Sequence, residues 1–155
     1  MLRIDRRELR AGPVETIGTV SPEDPLLAGL GLRLEGGLRV SGRLQLAGHG
    51  DVLWRGRLDG RARAECRRCL AEVPVTIGTE VEVLFSADPD AGDDPSVYPL
   101  AEAATHVDVG EVAREELALA MPAYVLCRED CAGLCPRCGA DLNAGPCGCG
   151  PAEPN

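Results

Sequence analysis

The chain has 155 residues, an apolar fraction of 45% and a net charge of −9 at pH 7. That suits one compact domain with an appendage and an ordinary core. Its aromatics are Trp54, Phe85, Tyr98 and Tyr124 alone, too few for a sheet that stacks successive bases.

The N-terminus, MLRIDRRELR, is charged from its third residue and has no apolar h-region. It does not read as a signal peptide, and no run approaches a membrane span. The expected location is the cytoplasm, where thiols stay reduced. Residues 2–9 suit a short strand that ends at the Gly12-Pro13 turn. Residues 14–36 show no clear period, only turn signals at Ser21-Pro22 and Asp24-Pro25.

From Leu38 the pattern is sharp. Leu38, Val40, Leu44 and Leu46 alternate with Arg39, Ser41, Arg43 and Gln45. After a turn at His49-Gly50-Asp51, Val52, Trp54, Leu58, Ala62 and Ala64 continue at even positions. Beyond Cys69 the phase moves to odd positions: Val73, Val75, Ile77, Val81, Val83 and Phe85. A period of two over three segments predicts half-buried strands near 38–46, 52–66 and 72–85. Short connections make them an antiparallel meander, with Trp54, Leu58, Val75, Ile77 and Val83 buried.

Residues 86–105 are acidic, Pro-rich and aperiodic, which predicts a long mobile loop. Asp108 and Glu111 then have capping-box spacing. Val109, Val112, Ala113, Leu117 and Ala120 share one helical face, so a helix should run near 109–120 and stop before Pro122. The expected fold is α+β: a meander over residues 1–126 packed with one helix, a Cys-rich segment over 127–149 and a disordered tail over 150–155.

The segment from Cys127 to Cys149 holds six of the eight cysteines. Its larger apolar residues are Leu134 and Leu142, too few for a core, so a metal or a disulfide framework must order it. Cys66-Arg67-Arg68-Cys69 and Cys135-Pro136-Arg137-Cys138 are CxxC clamps, whose spacing lets both sulfurs reach one zinc ion. Cys147 and Cys149 form a closer pair that Gly148 lets bend, and Cys127 and Cys131 suit one helical turn. Eight thiolates divide into two structural sites. We favour Cys66 and Cys69 with Cys127 and Cys131, and Cys135 and Cys138 with Cys147 and Cys149. Spacing alone also permits one zinc or mixed pairings such as Cys66 and Cys69 with Cys135 and Cys138. In the favoured division the block from Cys135 to Cys149 holds only itself.

Other chemistries fit less well. A dithiol catalyst would place a single exposed CxxC at a helix N-terminus. The spacings match no ferredoxin run. His49 and His106 are isolated and read as solvated surface. A closed four-Cys site leaves no open position for water, so no enzyme activity is expected.

Charge is unevenly spread. Residues 39–68 carry eight Arg against three acids, whereas residues 69–130 carry 14 acids against two Arg. Arg55, Arg57, Arg61 and Arg63 share the polar face of the second strand, a candidate RNA-binding stripe. Cross-strand pairing with Glu72, Glu80 and Glu82 is the competing explanation.

Cys66-Arg67-Arg68-Cys69-Leu70, later Leu117-Ala118-Leu119, and then Cys131-Ala132-Gly133-Leu134-Cys135-Pro136-Arg137-Cys138-Gly139-Ala140-Asp141-Leu142-Asn143 with Cys147-Gly148-Cys149 resemble the YceD family. Its members are described as large ribosomal RNA subunit accumulation proteins. Some members lack the C-terminal cysteines but keep CxRC, with His or Cys near the places of Cys127 and Cys131. That implies that these four positions act together. Ala120-Met121-Pro122 departs from the family, which has Pro directly after the LAL. The resemblance implies a non-enzymatic cytosolic factor that supports large-subunit (23S) rRNA. Its partner would be that rRNA or a pre-ribosomal particle, with a protein-binding adaptor as the alternative; no membrane or small-molecule substrate is expected.

Overall fold

The computed structural model describes residues 2–149; the tail expected over 150–155 lies outside them. The fold is α+β, with one α-helix and two sheets among the described residues. The strands are β1 (Arg3–Asp5), β2 (Val14–Val20), β3 (Arg33–Leu34), β4 (Leu38–Leu46), β5 (Val52–Glu65), β6 (Glu72–Ser86), β7 (Val97–Pro99) and β8 (His106–Asp108), followed by α1 (Gly110–Ala120).

The expected meander is β4, β5 and β6, antiparallel and in sequence order. The full sheet is larger and mixed, in the order β2-β4-β5-β6-β7. β5 outruns β4, which pairs it from Val52 to Asp59; β3 then takes over opposite Ala62 and Arg63. β1 and β8 form a separate small antiparallel pair.

Even residues of β2, β4 and β5 and odd residues of β6 face the core. Trp54, Leu58, Ile77 and Val83 are buried as expected. Val75 is only half-buried. It pairs with Ala62 near the far end of the hairpin, past Asp59, where the pairing with β4 ends. Val109, Val112, Ala113 and Leu117 seal the core from the helix side.

β2 escaped the periodicity because its inward residues include Thr16 and Gly18, which are small. Trp54 explains why. An added Cβ at Gly56 would lie 2.2 Å from the Trp54 ring, and one at Gly42 2.7 Å from its Nε1. The indole therefore lies across two glycines that face each other in register. Its N–H donates to the buried Thr16 hydroxyl at 2.9 Å.

Two further expectations need correction. Residues 86–105 are not one structureless loop. They contain a 3-10 turn at Pro89–Asp93 and β7, which runs parallel to β6. Tyr98 packs on Phe85 with ring centroids 5.8 Å apart, and Leu100 is buried. A three-residue strand inside an acidic stretch is too short to show a period. The helix cap also differs: Val109 is the N-cap, and Asp108 instead accepts a 2.8 Å bond from the Gly110 N–H. The strand anticipated over residues 2–9 shortens to β1, and a 3-10 turn buries Leu9.

Candidate metal centres

Cys66 follows the last residue of β5, and Cys69 lies in the turn to β6. There the chain forms a tight knuckle. The Leu70 N–H donates to the Cys66 carbonyl at 2.9 Å and the Cys66 N–H to the Ala71 carbonyl at 2.8 Å. Cys135 to Ala140 repeat this arrangement bond for bond. The Gly139 N–H donates to the Cys135 carbonyl at 2.8 Å, and the Cys135 N–H to the Ala140 carbonyl at 2.8 Å. Gly139 has φ +73° and its counterpart Leu70 has φ +61°. The first knuckle thus holds a leucine in the left-handed region that the second fills with glycine.

The knuckle turns aim backbone N–H groups at sulfur. Burial pushes the Cys66 thiol up, but the backbone N–H groups of Cys69, Arg68 and Cys127 outweigh it and bring it down to about 6. The N–H groups of Cys138 and Arg137 bring Cys135 to about 6 as well.

The fold gathers the eight sulfurs into two clusters. Cys66, Cys69, Cys127 and Cys131 form one, and Cys135, Cys138, Cys147 and Cys149 the other; within each, the sulfurs lie within 4.8 Å of one another. All eight thiols are free. The Sγ atoms of Cys66 and Cys131 are 3.8 Å apart, and those of Cys69 and Cys127 3.6 Å. A tetrahedron with metal–sulfur bonds of about 2.3 Å has edges of about 3.8 Å, so the first cluster fits such an ion. Electrostatics points the same way. The hydrogen bond to Cys131, then burial, push Cys127 up to about 12. In the second cluster the bond to Cys138, then burial, push Cys149 to about 11. Crowded sulfurs cannot all ionise unaided, and a dication would remove that penalty.

The two clusters are not independent, contrary to the expectation that the C-terminal block holds only itself. The Leu134 N–H donates to the Arg68 carbonyl at 3.1 Å, inside the first knuckle. An added Cβ at Gly133 would sit 3.0 Å from that carbonyl oxygen. The Asn143 side chain donates to Cys131 Sγ at 3.4 Å. Arg67 fastens the knuckle to the segment after the helix, its N–H donating to the Val125 carbonyl at 2.8 Å.

The Arg stripe lies on the solvent face of β5. Arg55 and Arg57 stand opposite Glu82 and Glu80, as cross-strand pairing requires. Arg55 is bonded to Glu82, and Arg57 lies 2.9 Å from Asp59 and 3.6 Å from Glu80. Arg63 pairs with Glu35 at 2.6 Å, a partner the sequence did not reveal because residues 14–36 lack a period. Arg61 faces Thr76 and has no ion pair among the described residues. Glu72 makes its ion pair with Arg33 on β3 and acts on Arg63 of the stripe only at longer range. Arg63 also lines a groove of about 530 Å³ beside the first cluster, with Arg33, Arg67 and Leu70. His49 is exposed at a turn, and His106 sits in β8.

The family model for YceD, the large ribosomal RNA subunit accumulation protein, matches residues 54–155. The chain belongs to the YceD family. The match takes in β5 from Trp54 onward, β6, the helix and both clusters. The chain is also 32% identical over 105 residues to uncharacterized proteins of Mycobacterium bovis and Mycobacterium tuberculosis. Those alignments cover 61% of the chain and 47% of each relative, so the chain spans about half the length of the curated relatives it matches. No solved structure matches. No helix among the described residues is long and apolar enough to cross a membrane.

Proposed function

We propose that this YceD-family chain is a zinc-stabilised, non-enzymatic ribosome-biogenesis factor. It supports accumulation of large-subunit 23S rRNA by binding that rRNA or a pre-ribosomal particle in the cytoplasm. Family membership carries the reading, since the family is described by rRNA accumulation. Two four-thiol clusters support zinc: soft thiolates at tetrahedral spacing, with no carboxylate or imidazole among them, suit a closed structural ion. Cys66, Cys69, Cys127 and Cys131 would hold one ion, and Cys135, Cys138, Cys147 and Cys149 the other. Each ion would crosslink chain segments and carry out no chemistry.

The surface offered to RNA is the solvent face of β5. Arg55 and Arg57 have side chains 64% and 48% exposed, and their ion pairs lie at the surface. Such pairs are worth about 0–1 kcal/mol, so phosphate can displace the glutamates. Those pairs also favour a second reading, a zinc-stabilised adaptor that binds a protein partner, because they neutralise much of the stripe.

The two readings separate in one titration of binding to large-subunit rRNA fragments against salt. Replacing Arg55, Arg57, Arg61 and Arg63 by Gln should weaken binding and flatten the salt slope by about 1 per lost phosphate contact. Unchanged affinity and slope would favour the adaptor. Elemental analysis of protein purified under reducing conditions should find two zinc ions per chain; finding no metal would end the zinc reading.

A further inference from the structure

We propose that Asn143 couples the two metal centres, so that loading the second cluster tightens the first. The inference rests on the metal reading above and assigns a role to a residue outside both ligand sets.

Asn143 belongs to the loop closed by the second cluster, between Cys138 and Cys147. A 3-10 turn at Leu142–Ala144 holds it, with Asp141 Oδ1 accepting from the Asn143 backbone N–H at 2.9 Å and from Nδ2 at 2.8 Å. Its carboxamide nevertheless points at the first cluster. Nδ2 also donates to Cys131 Sγ at 3.4 Å. Oδ1 accepts from the Ala132 N–H at 2.8 Å and from Arg128 at 2.8 Å. The orientation is fixed by chemistry: one end meets two donors, the other two acceptors. All of its partners on the far side flank or belong to the segment that carries Cys127 and Cys131.

The consequence is directional in assembly and reciprocal in energy. The second cluster closes a loop of only 15 residues, Cys135 to Cys149, so it forms at low entropic cost. Closing it orders Asp141–Asn143 and presents a preformed N–H donor to Cys131. That donor fixes the position of the sulfur, as outer-shell partners of metal ligands do. By linkage, metal in the first cluster must strengthen the second by the same factor. Asn143 is thus a positioning residue, and its contact is the side-chain route between the centres.

The test uses the full chain, zinc, and competition with a chromophoric chelator, with zinc stoichiometry and far-UV circular dichroism measured alongside. In Cys147→Ser/Cys149→Ser only the first cluster binds, and its affinity should fall about 10–100-fold. Asn143→Ala should lower first-cluster affinity by a similar factor while two zinc ions still bind. Asn143→Asp keeps the acceptor for Ala132 and Arg128 but removes the donor to sulfur, so it should lose at least as much. Asn143→Asp also loses the donor to Asp141 Oδ1; a role confined to bracing the loop would lower the affinity of the second cluster and leave the first near wild type. Adding Asn143→Ala to the double serine variant should cost little more. Wild-type affinity in Asn143→Ala, or losses that multiply in the triple variant, would overturn the coupling while leaving both metal sites intact. A wild-type chain that binds no zinc would overturn the coupling and the metal reading together.

Discussion

The indole N–H of Trp54 donates to the hydroxyl of Thr16 at 2.9 Å, across the width of β4. The bond exists because Gly42 lies between them, in register with Thr16 on one side and with Gly56 on the other. Any side chain at either glycine would lift the ring off the sheet. Thr16→Val leaves a buried N–H without a partner and should cost about 1–3 kcal/mol. Gly56→Ala, a change that helps many strands, should here cost about 1–3 kcal/mol through overpacking. Urea unfolding checks both; a stabilised Gly56→Ala would mean that the indole does not occupy that groove.

Cys66→Ser and Cys147→Ser should differ in severity. The first opens the cluster that ties the β5–β6 turn to the segment after the helix. Structural zinc can supply on the order of 10 kcal/mol of apparent folding free energy, so under the proposed zinc reading this variant should show a sharply lower melting temperature. The second opens a local loop and should cost much less. Thermal unfolding with and without chelator reads both. A larger loss for Cys147→Ser would shift the burden of stability to the C-terminal cluster.

Leu70 is 60% exposed at φ +61°. A non-glycine residue there costs about 1–2 kcal/mol. Leu70→Gly should therefore raise stability by up to about that amount, while Gly139→Leu in the equivalent place should lower it. If Leu70→Gly proves neutral or destabilising, the leucine side chain makes a compensating contact in the folded protein.

The sequence disclosed the parts of the fold whose signal is repetitive. Large apolar residues at even positions in β4 and β5 and odd positions in β6 made the meander legible, and CxxC spacing marked the knuckles. What stayed hidden lacked a period. β2 turns Thr16 and Gly18 inward and leaves Ile17 60% exposed, so its alternation looks inverted. β7 is three residues long. The partner of Arg63 lay in the same unreadable stretch, at Glu35. The Asn143 contact with Cys131 could not be read from spacing, since both clusters had to be folded before the two residues met. The motif that ends at Asn143 was its only trace.

The β5–β6 hairpin is anchored very unevenly along its length. Its ladder runs from Val52 opposite Phe85 to Glu65 opposite Glu72, a rod of about 45 Å. At one end Trp54, Val83 and Phe85 are clamped by the core; past Ala62 the strand residues are half-buried or exposed, up to Cys66. Beyond the two-residue pairing with β3, the knuckle closes the open end. Stripped of metal, the hairpin should unzip from the knuckle toward the tryptophan and not melt as a unit. Amide exchange in the metal-free chain should become fast at residues 62–76 while residues 52–58 and 79–85 stay protected. Uniform loss along the ladder would show that the metal governs the whole sheet. With graded loss, metal supply would act as a dial on the order of the surface around Arg61 and Arg63, leaving the core untouched.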